Sequence, residues 1–460
     1  MLRELFPEPP EPPEAGTRRV PRSLSIAAQV AAVAVGVLVM LVRIPGRVPS
    51  WDGIYAEDIK IFLPQALQRP WHLLIPNNGY IELVPRLIAQ FTTYLPVGDA
   101  AAAFATGGAL VTVVCALFVF HVSAAQVRSP VLRFVLALSV VLLPIGLMEI
   151  ADSGVDSPWY LVFALFWAAL WRPRTRAGMA VTAAVAFFTA ASTTMAIVFA
   201  PLLLARVIAL PKLREHAVTA GWIAGGLVQL PFVVSNLAST HSRAGHPASP
   251  GLALAFYGHD VVLPALGWHL AWWLQTATGR NGATLIIGAI LVVFFGWALI
   301  TQRGKPRAFM VAALLTGFLF AVFGATLSSN LPGLAVTLSV EHGSRYSALP
   351  IFLITSAAIV AVDSFIRRRQ VSHGQAGQGQ AGHGQVRPQA IAAVTALVGV
   401  LAVGWITDFR YQGFRSHDAV NWPPVASAWL HACQHTPNGI IHVEAGSLVK
   451  KPIPCARLVR

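Results

Sequence analysis

Three carboxylates stand close together in a polar stretch that follows the first apolar run: Asp52, Glu57 and Asp58, in Trp51-Asp52-Gly53-Ile54-Tyr55-Ala56-Glu57-Asp58-Ile59-Lys60-Ile61-Phe62. A carboxylate within hydrogen-bonding reach of a hydroxyl can take its proton, which is the general-base step of a group transfer. Neighbouring residues diverge by about 100° on a helix and face opposite ways on a strand. Glu57 and Asp58 are therefore not a matched pair: one faces a reacting group, the other a partner such as Lys60 or Arg86. Asp58 is the favoured base, with Glu57 and Asp52 as further candidates. Asp58 also precedes an apolar stretch, where an Asp can cap a helix, a reading that ranks below the catalytic one.

Two more stretches carry chemistry. Glu149-Ile150-Ala151-Asp152-Ser153-Gly154-Val155-Asp156 offers oxygen ligands, and Asp152 with Asp156 are candidates for a divalent cation such as Mg or Mn. The alternative is a short loop that simply excludes Lys and Arg. In Glu341-His342-Gly343-Ser344-Arg345-Tyr346, a guanidinium can clasp a phosphate bidentately, with Tyr346 and His342 beside it. Arg and Tyr also anchor helices at a membrane interface, so Arg345 has that second reading. Arg86 and Tyr80, in Asn78-Gly79-Tyr80-Ile81-Glu82-Leu83-Val84-Pro85-Arg86, are further substrate-binding candidates.

The elements that must position these residues are apolar. The 460-residue chain is 55% hydrophobic and 11% charged, with mean hydropathy +0.63. Soluble domains carry roughly 25% charged residues, so the composition predicts an all-α polytopic membrane protein. A net charge of +14 would suggest nucleic acid in a soluble chain, but the basic residues here sit in short loops between apolar runs, which excludes that partner.

Apolar runs fall at 24–42, 100–121, 131–148, 158–171, 178–191, 193–209, 217–235, 283–300, 308–327, 347–365 and 389–406. They predict about 11 transmembrane helices, with 178–209 forming two short crossings around Ser192-Thr193-Thr194. The first run lacks a small-residue cleavage site and reads as an uncleaved helix. Between it and the next lies 43–98, whose amphipathic stretches Ile59–Leu67 and Ile81–Tyr94 read as interfacial helices.

With the N-terminus cytoplasmic, one side collects Arg128 and Arg133, Arg172 to Arg176, Arg206 to Arg214, Arg303 to Arg307 and Arg367 to Arg387. The loop 149–157 on the other side has acids and no Lys or Arg, in line with the positive-inside bias. This parity requires that the aromatic stretch Tyr257–Thr278 not cross the membrane, so it reads as an interfacial or re-entrant helix. The expected organisation is a tail over 1–23, a membrane module over 24–366 with outer loops 43–98, 149–157 and 329–346, and a Gly/Gln/His linker over 367–388. A last span at 389–407 and an extracytoplasmic tail over 408–460 complete it. His373 and His383 read as part of a solvated linker. Cys433 and Cys455 share the exported tail, which favours a disulfide, whereas Cys115 lies in an apolar run. The chain has no P-loop, GxSxG elbow, HExxH or CxxC, which argues against ATP hydrolysis and serine hydrolysis.

A cytoplasmic N-terminus, one helix and a long acidic outer loop resemble the GT-C superfamily of integral-membrane glycosyltransferases. Ala56-Glu57-Asp58, Gly79 to Arg86, Pro158-Trp159-Tyr160 and Ile453-Pro454-Cys455 are similar to an actinobacterial multi-spanning group within it. The likeness covers most of the chain through short motifs. It implies a GT-C-like fold in the plasma membrane and an inverting transfer from a polyprenyl-phosphate sugar to a glycan or lipid acceptor of the cell envelope. It places Asp58 or Glu57 as base or acceptor ligand, Arg345 on the donor phosphate and Trp159 in the second outer loop. The chain departs from better-known members in lacking a large exported domain and any outer Asp-x-Asp, which puts metal dependence in question. Two rival classes are a transporter or flippase of lipid-linked sugars, and a non-catalytic partner in envelope assembly. A transporter would show internal repeats and charge buried at the bilayer midplane, whereas here the charges gather in the outer loops.

Overall fold

The structure is a computed structural model that describes residues 2–8, 22–43, 48–55, 57–147, 150–239, 250–327, 344–374, 388–410, 419–444 and 450–458. Each of the eleven apolar runs is helical. Six helices are long and apolar enough to cross a membrane, and the other runs form shorter apolar helices. The chain is a polytopic membrane protein built almost wholly from helices, as its composition demands: every backbone polar group in lipid must be satisfied within its own segment.

The helices are α1 (Arg22–Arg43), α2 (Leu63–Gln68), α3 (Leu83–Thr92), α4 (Ala100–Val122), α5 (Pro130–Val141), α6 (Pro158–Leu170), α7 (Arg176–Ala190) and α8 (Ala200–Ala209). They continue as α9 (Ala217–Ser239), α10 (Pro250–Phe256), α11 (Trp268–Thr301), α12 (Lys305–Leu327), α13 (Ser344–Gly374), α14 (Pro388–Thr407) and α15 (Trp422–His435). Helix α6 is buried almost all round, as expected for a helix that is apolar on every side. Helix α13 runs on to Gly374, past the boundary at 366 expected from sequence. The remainder of the expected linker, with His383 and Arg387, lies outside the described residues.

One stretch differs from expectation. Tyr257–Thr278 is not a single interfacial helix. A π-helical turn over Tyr257–Val262 and a 3-10 turn over Leu263–Leu266 end at Gly267, whose φ is +116°. Trp268 then starts α11, which kinks at Gly279 (φ +72°) and continues to Thr301. A Cβ at Gly267 would meet the Gly404 Cα at 2.8 Å, so glycine is needed there for both backbone angle and close approach. The carboxylate of Asp408 accepts from the backbone N–H groups of Trp268 and His269. It thereby caps α11 where the unpaired N–H groups and the helix dipole favour an anion.

Residues expected on the basic side meet at one end of the bundle. Gln126 donates to the Leu5 carbonyl at 3.2 Å, Arg172 pairs with Glu215 at 2.6 Å, and Arg206 donates to the Glu215 carbonyl at 2.8 Å. Asp363 accepts from the backbone N–H groups of Arg128 and Ser129 at 3.1 and 2.9 Å. The first loop, the 150–157 turn and the tail gather at a second end. The tail is no loose appendage there. Strand β1 (Gly53–Ile54) pairs antiparallel with β2 (Val420–Asn421). The buried Trp422 donates from its indole to the Val97 carbonyl at 2.6 Å and from its backbone to the Asp52 carbonyl at 2.7 Å. Strands β3 (Ile440–Glu444) and β4 (Lys450–Pro454) form a hairpin, and a disulfide joins Cys433 to Cys455. Trp422, Trp429 and both cysteines share one apolar cluster with Ile54, Ile59, Phe62 and Leu63 of the first loop.

Candidate active site in the first loop

The first loop is held by a tight turn and by the helices behind it. Asn77 and Tyr80 exchange backbone hydrogen bonds at 2.8 and 3.1 Å, with Asn78 at φ +50° and Gly79 at φ +85° between them. Both central residues have positive φ, the hallmark of a type I′ turn, for which Asn-Gly is the favoured pair. A Cβ on Gly79 would lie 2.1 Å from the Asn236 Cγ. Beyond the turn, Gln229 of α9 brackets Ile81, accepting from its N–H at 3.0 Å and donating to its carbonyl at 2.6 Å. Past Glu82, the N–H groups of Leu83 and Val84 donate to the Ala191 carbonyl and the Ser192 hydroxyl at 3.2 and 3.0 Å. The turn between α7 and α8 thus reaches the start of α3 and fixes the residue that precedes it, Glu82.

Glu82 is buried and accepts from the Asn77 amide at 2.9 Å and from the Tyr80 hydroxyl at 3.5 Å. Burial raises its carboxyl to about 7, opposed first by the Asn77 hydrogen bond. The charge of Glu57 adds to the rise, and those of Arg86 and Arg345 work against it. Burial also pushes the Tyr80 phenol well upward, helped by Glu82, Tyr346 and Glu57 and opposed by Arg345. Glu57, Arg345 and Tyr346, from two other parts of the chain, therefore all lie within electrostatic reach of the Tyr80–Glu82 stretch. Tyr346 packs edge-on against Trp159, with ring centroids 5.2 Å apart, and the Arg345 guanidinium lies 5.5 Å from the Tyr346 ring.

The two adjacent acids part company. Asp58 is 1% exposed; its Oδ2 accepts from the Gly154 backbone N–H at 3.1 Å and from the Ser153 hydroxyl at 3.5 Å. A Cβ on Gly154 would sit 2.9 Å from the Asp58 Oδ1 and 2.7 Å from the Phe104 ring. Asp58 begins a π-helical turn, Asp58–Phe62, that leads into α2. Glu57 is half-buried and its side chain caps nothing. Asp52 sits in the turn that follows Pro49, and its contribution to the tail is a backbone carbonyl. It is not among the charges acting on Tyr80 or Glu82.

Asp152 and Asp156 are both buried in the 150–157 turn. Asp152 has φ +50° and accepts from the Ser50 hydroxyl at 3.0 Å. Among the described residues, no group of three or more His, Cys, Asp or Glu could hold a metal ion, and the proposed reaction uses none. Glu149 and His342 lie outside the described residues. Arg86 runs to Gln65, donating at 2.8 Å, and lies over the Phe62 ring at 5.2 Å. Glu82 and Gln229 are residues of this candidate site that sequence reasoning passed over. The signal for Glu82 was the Asn-Gly turn just ahead of a helix start; Gln229, inside an apolar run, carried none.

No protein-family model matches the chain, and no curated protein matches it. Among solved structures the chain is similar to the archaeal oligosaccharyltransferase AglB from Archaeoglobus fulgidus, in complex with an inhibitory peptide and a dolichol-phosphate. That likeness has 12% identity and a TM-score of 0.42, over 90% of this chain and 59% of that one. A second similar structure is ArnT from Cupriavidus metallidurans in the apo state, with 14% identity and a TM-score of 0.44, over 90% of this chain and 81% of that one. The chain thus spans 59% of the length of the archaeal protein.

Proposed function

We propose that the protein is an inverting membrane glycosyltransferase. It moves a monosaccharide from a polyprenyl-phosphate donor to a hydroxyl of a glycan or lipid acceptor on the extracytoplasmic face. The observation that carries this reading is the convergence of Glu57, Glu82, Tyr80 and Arg345 at the end of the bundle where the loops gather. A transferase of this class needs a base for the acceptor hydroxyl and a cation for the departing phosphate, and both groups are in that set.

Glu57 is the base in this proposal, because the Asp58 carboxylate is engaged by the 153–154 turn. The acceptor oxygen attacks the anomeric carbon as Glu57 takes its proton. The bond from that carbon to the phosphate oxygen breaks, and the electron pair leaves on the phosphate. Arg345 stabilises the negative charge that develops there, in a site where fixed donors require little reorganisation. Glu82, held neutral below about pH 7, keeps a proton to donate and orients Tyr80. Asp58 is a positioning residue that ties the first loop to the turn before α6.

The test is transfer of radiolabelled sugar from synthetic polyprenyl-phosphate donors by protein reconstituted in liposomes. Glu57→Gln should lower kcat by about 10²–10⁴-fold, the usual contribution of a general base. Arg345→Gln should lower kcat/KM. Transfer by Glu57→Gln at the unaltered rate would refute the assignment. If no donor in a panel of lipid-phosphate sugars is turned over by the wild type, the transferase reading itself fails.

A further inference from the structure

A polar cavity lies between α2, the 69–73 turn and α3. It is lined by Phe62, Gln65, Arg69, His72, Arg86 and Gln90, with no acid among its lining residues. Arg86 forms the floor at 4% exposure. One of its terminal nitrogens donates to the Gln65 Oε1 at 2.8 Å. Its Nε and Nη2 are buried and have no hydrogen-bond partner among the described residues. Donors buried in this way cost free energy unless something accepts from them. Arg69 and His72 stand exposed at the rim.

We propose that this cavity binds the oxygen of a phosphate ester. The enclosed space of the whole cavity is about 10 Å³, which admits about one oxygen-sized atom. A sugar ring is therefore excluded, whereas one oxygen of a tetrahedral anion fits with the rest of the group at the rim. The unpaired Nε and Nη2 of Arg86 can both donate to that one oxygen, and Arg is the side chain matched to phosphate. The backbone is built to hold the rim. Trp71 adopts φ +63°, uncommon for a bulky residue, and its N–H donates to the Gln90 Oε1 at 2.6 Å. That places Arg69 and His72 on either side of a pinned turn.

The surroundings favour a phosphate carried on a lipid. Trp71, Phe91 and Tyr94 form an exposed aromatic patch beside the rim. The Trp71 ring lies 6.0 Å from Phe91 and 6.4 Å from Tyr94, and its indole donates to the Tyr94 hydroxyl at 3.0 Å. Leu74 and Leu95 extend the patch. Amphipathic rings of this kind settle at the level of lipid headgroups. The inference does not depend on the transfer reaction, because the cavity uses none of the residues assigned to it.

The test is binding by the full-length protein in a neutral detergent, followed by native mass spectrometry and microscale thermophoresis. The probes are inorganic phosphate, phosphatidylglycerol and diacylglycerol, a lipid with no phosphate. Phosphatidylglycerol should bind the wild type, and Arg69→Gln with His72→Gln, both at exposed positions, should weaken it at least tenfold. The matched control, Arg303→Gln with Lys305→Gln at the other end of the bundle, should leave binding unchanged. Competition by millimolar inorganic phosphate identifies a site open to the free ion. Binding of phosphatidylglycerol without such competition identifies a headgroup site, and either result supports a phosphate site. Equal binding of phosphatidylglycerol and diacylglycerol, equal loss in the control pair, or no loss in the rim pair would overturn the proposal.

Discussion

Replacing the two adjacent acids one at a time should separate holding from chemistry. Asp58 is almost wholly buried and accepts the Gly154 N–H. A hydrogen bond to a charged group contributes roughly 1.5–3 kcal/mol, and leaving a buried donor unpaired costs a similar amount. Asp58→Ala should therefore cost about 3 kcal/mol. Asp58→Asn keeps an acceptor but loses the charge, which costs about 1 kcal/mol. Glu57 caps nothing, so Glu57→Gln should change stability by less than about 0.5 kcal/mol. The assay is irreversible inactivation in detergent, read as a half-life at fixed temperature. If those contacts are already broken at the unfolding barrier, Asp58→Ala shortens the half-life roughly hundredfold and Asp58→Asn roughly fivefold, while Glu57→Gln leaves it within twofold. Transfer should run the other way: near zero for Glu57→Gln and retained by Asp58→Asn below its inactivation temperature. A stable Asp58→Asn protein with no transfer, beside an active Glu57→Gln protein, would refute the division of roles.

Three further outcomes follow from the same geometry. Glu82 has its carboxyl raised from 4.5 to about 7, so the folded state holds its proton more tightly than the unfolded chain does. Its contribution is neutral below about pH 4.5, and stability falls by about 3 kcal/mol as pH rises from there through 7. Denaturation midpoints across pH 4–8 should show that fall in the wild type and lose it in Glu82→Gln. Gly79→Ala meets both positive φ and the Asn236 side chain and should cost about 2 kcal/mol or more; a midpoint equal to wild type would contradict the turn. Cys433→Ser opens a bridge with a sequence separation of 22, which corresponds to about 3 kcal/mol in the chain-entropy account. Limited proteolysis should then cleave the 419–458 tail, and an uncut tail would show that its core with the first loop suffices alone.

The chain's sequence by itself determined its class and the helical character of its eleven apolar runs, because run length is a local property, while the apolar helix at Gly251–Leu266 was not among those runs. It also marked the first loop as the place where polar chemistry gathers. Local pattern failed where side chains meet partners far along the chain. Adjacency showed that Glu57 and Asp58 diverge, but which one turns inward depends on the N–H of Gly154, 96 residues away. Glu82 draws its character from burial, from Asn77 and from the charges of Glu57 and Arg345. The tail became part of the first loop's core only through Trp422 and the Cys433–Cys455 bridge. The aromatic stretch at 257–278 divided at Gly267 because the backbone of Gly404 passes within contact there. Desolvation and long-range contact set the protonation and direction of a side chain, and only the folded packing supplies either.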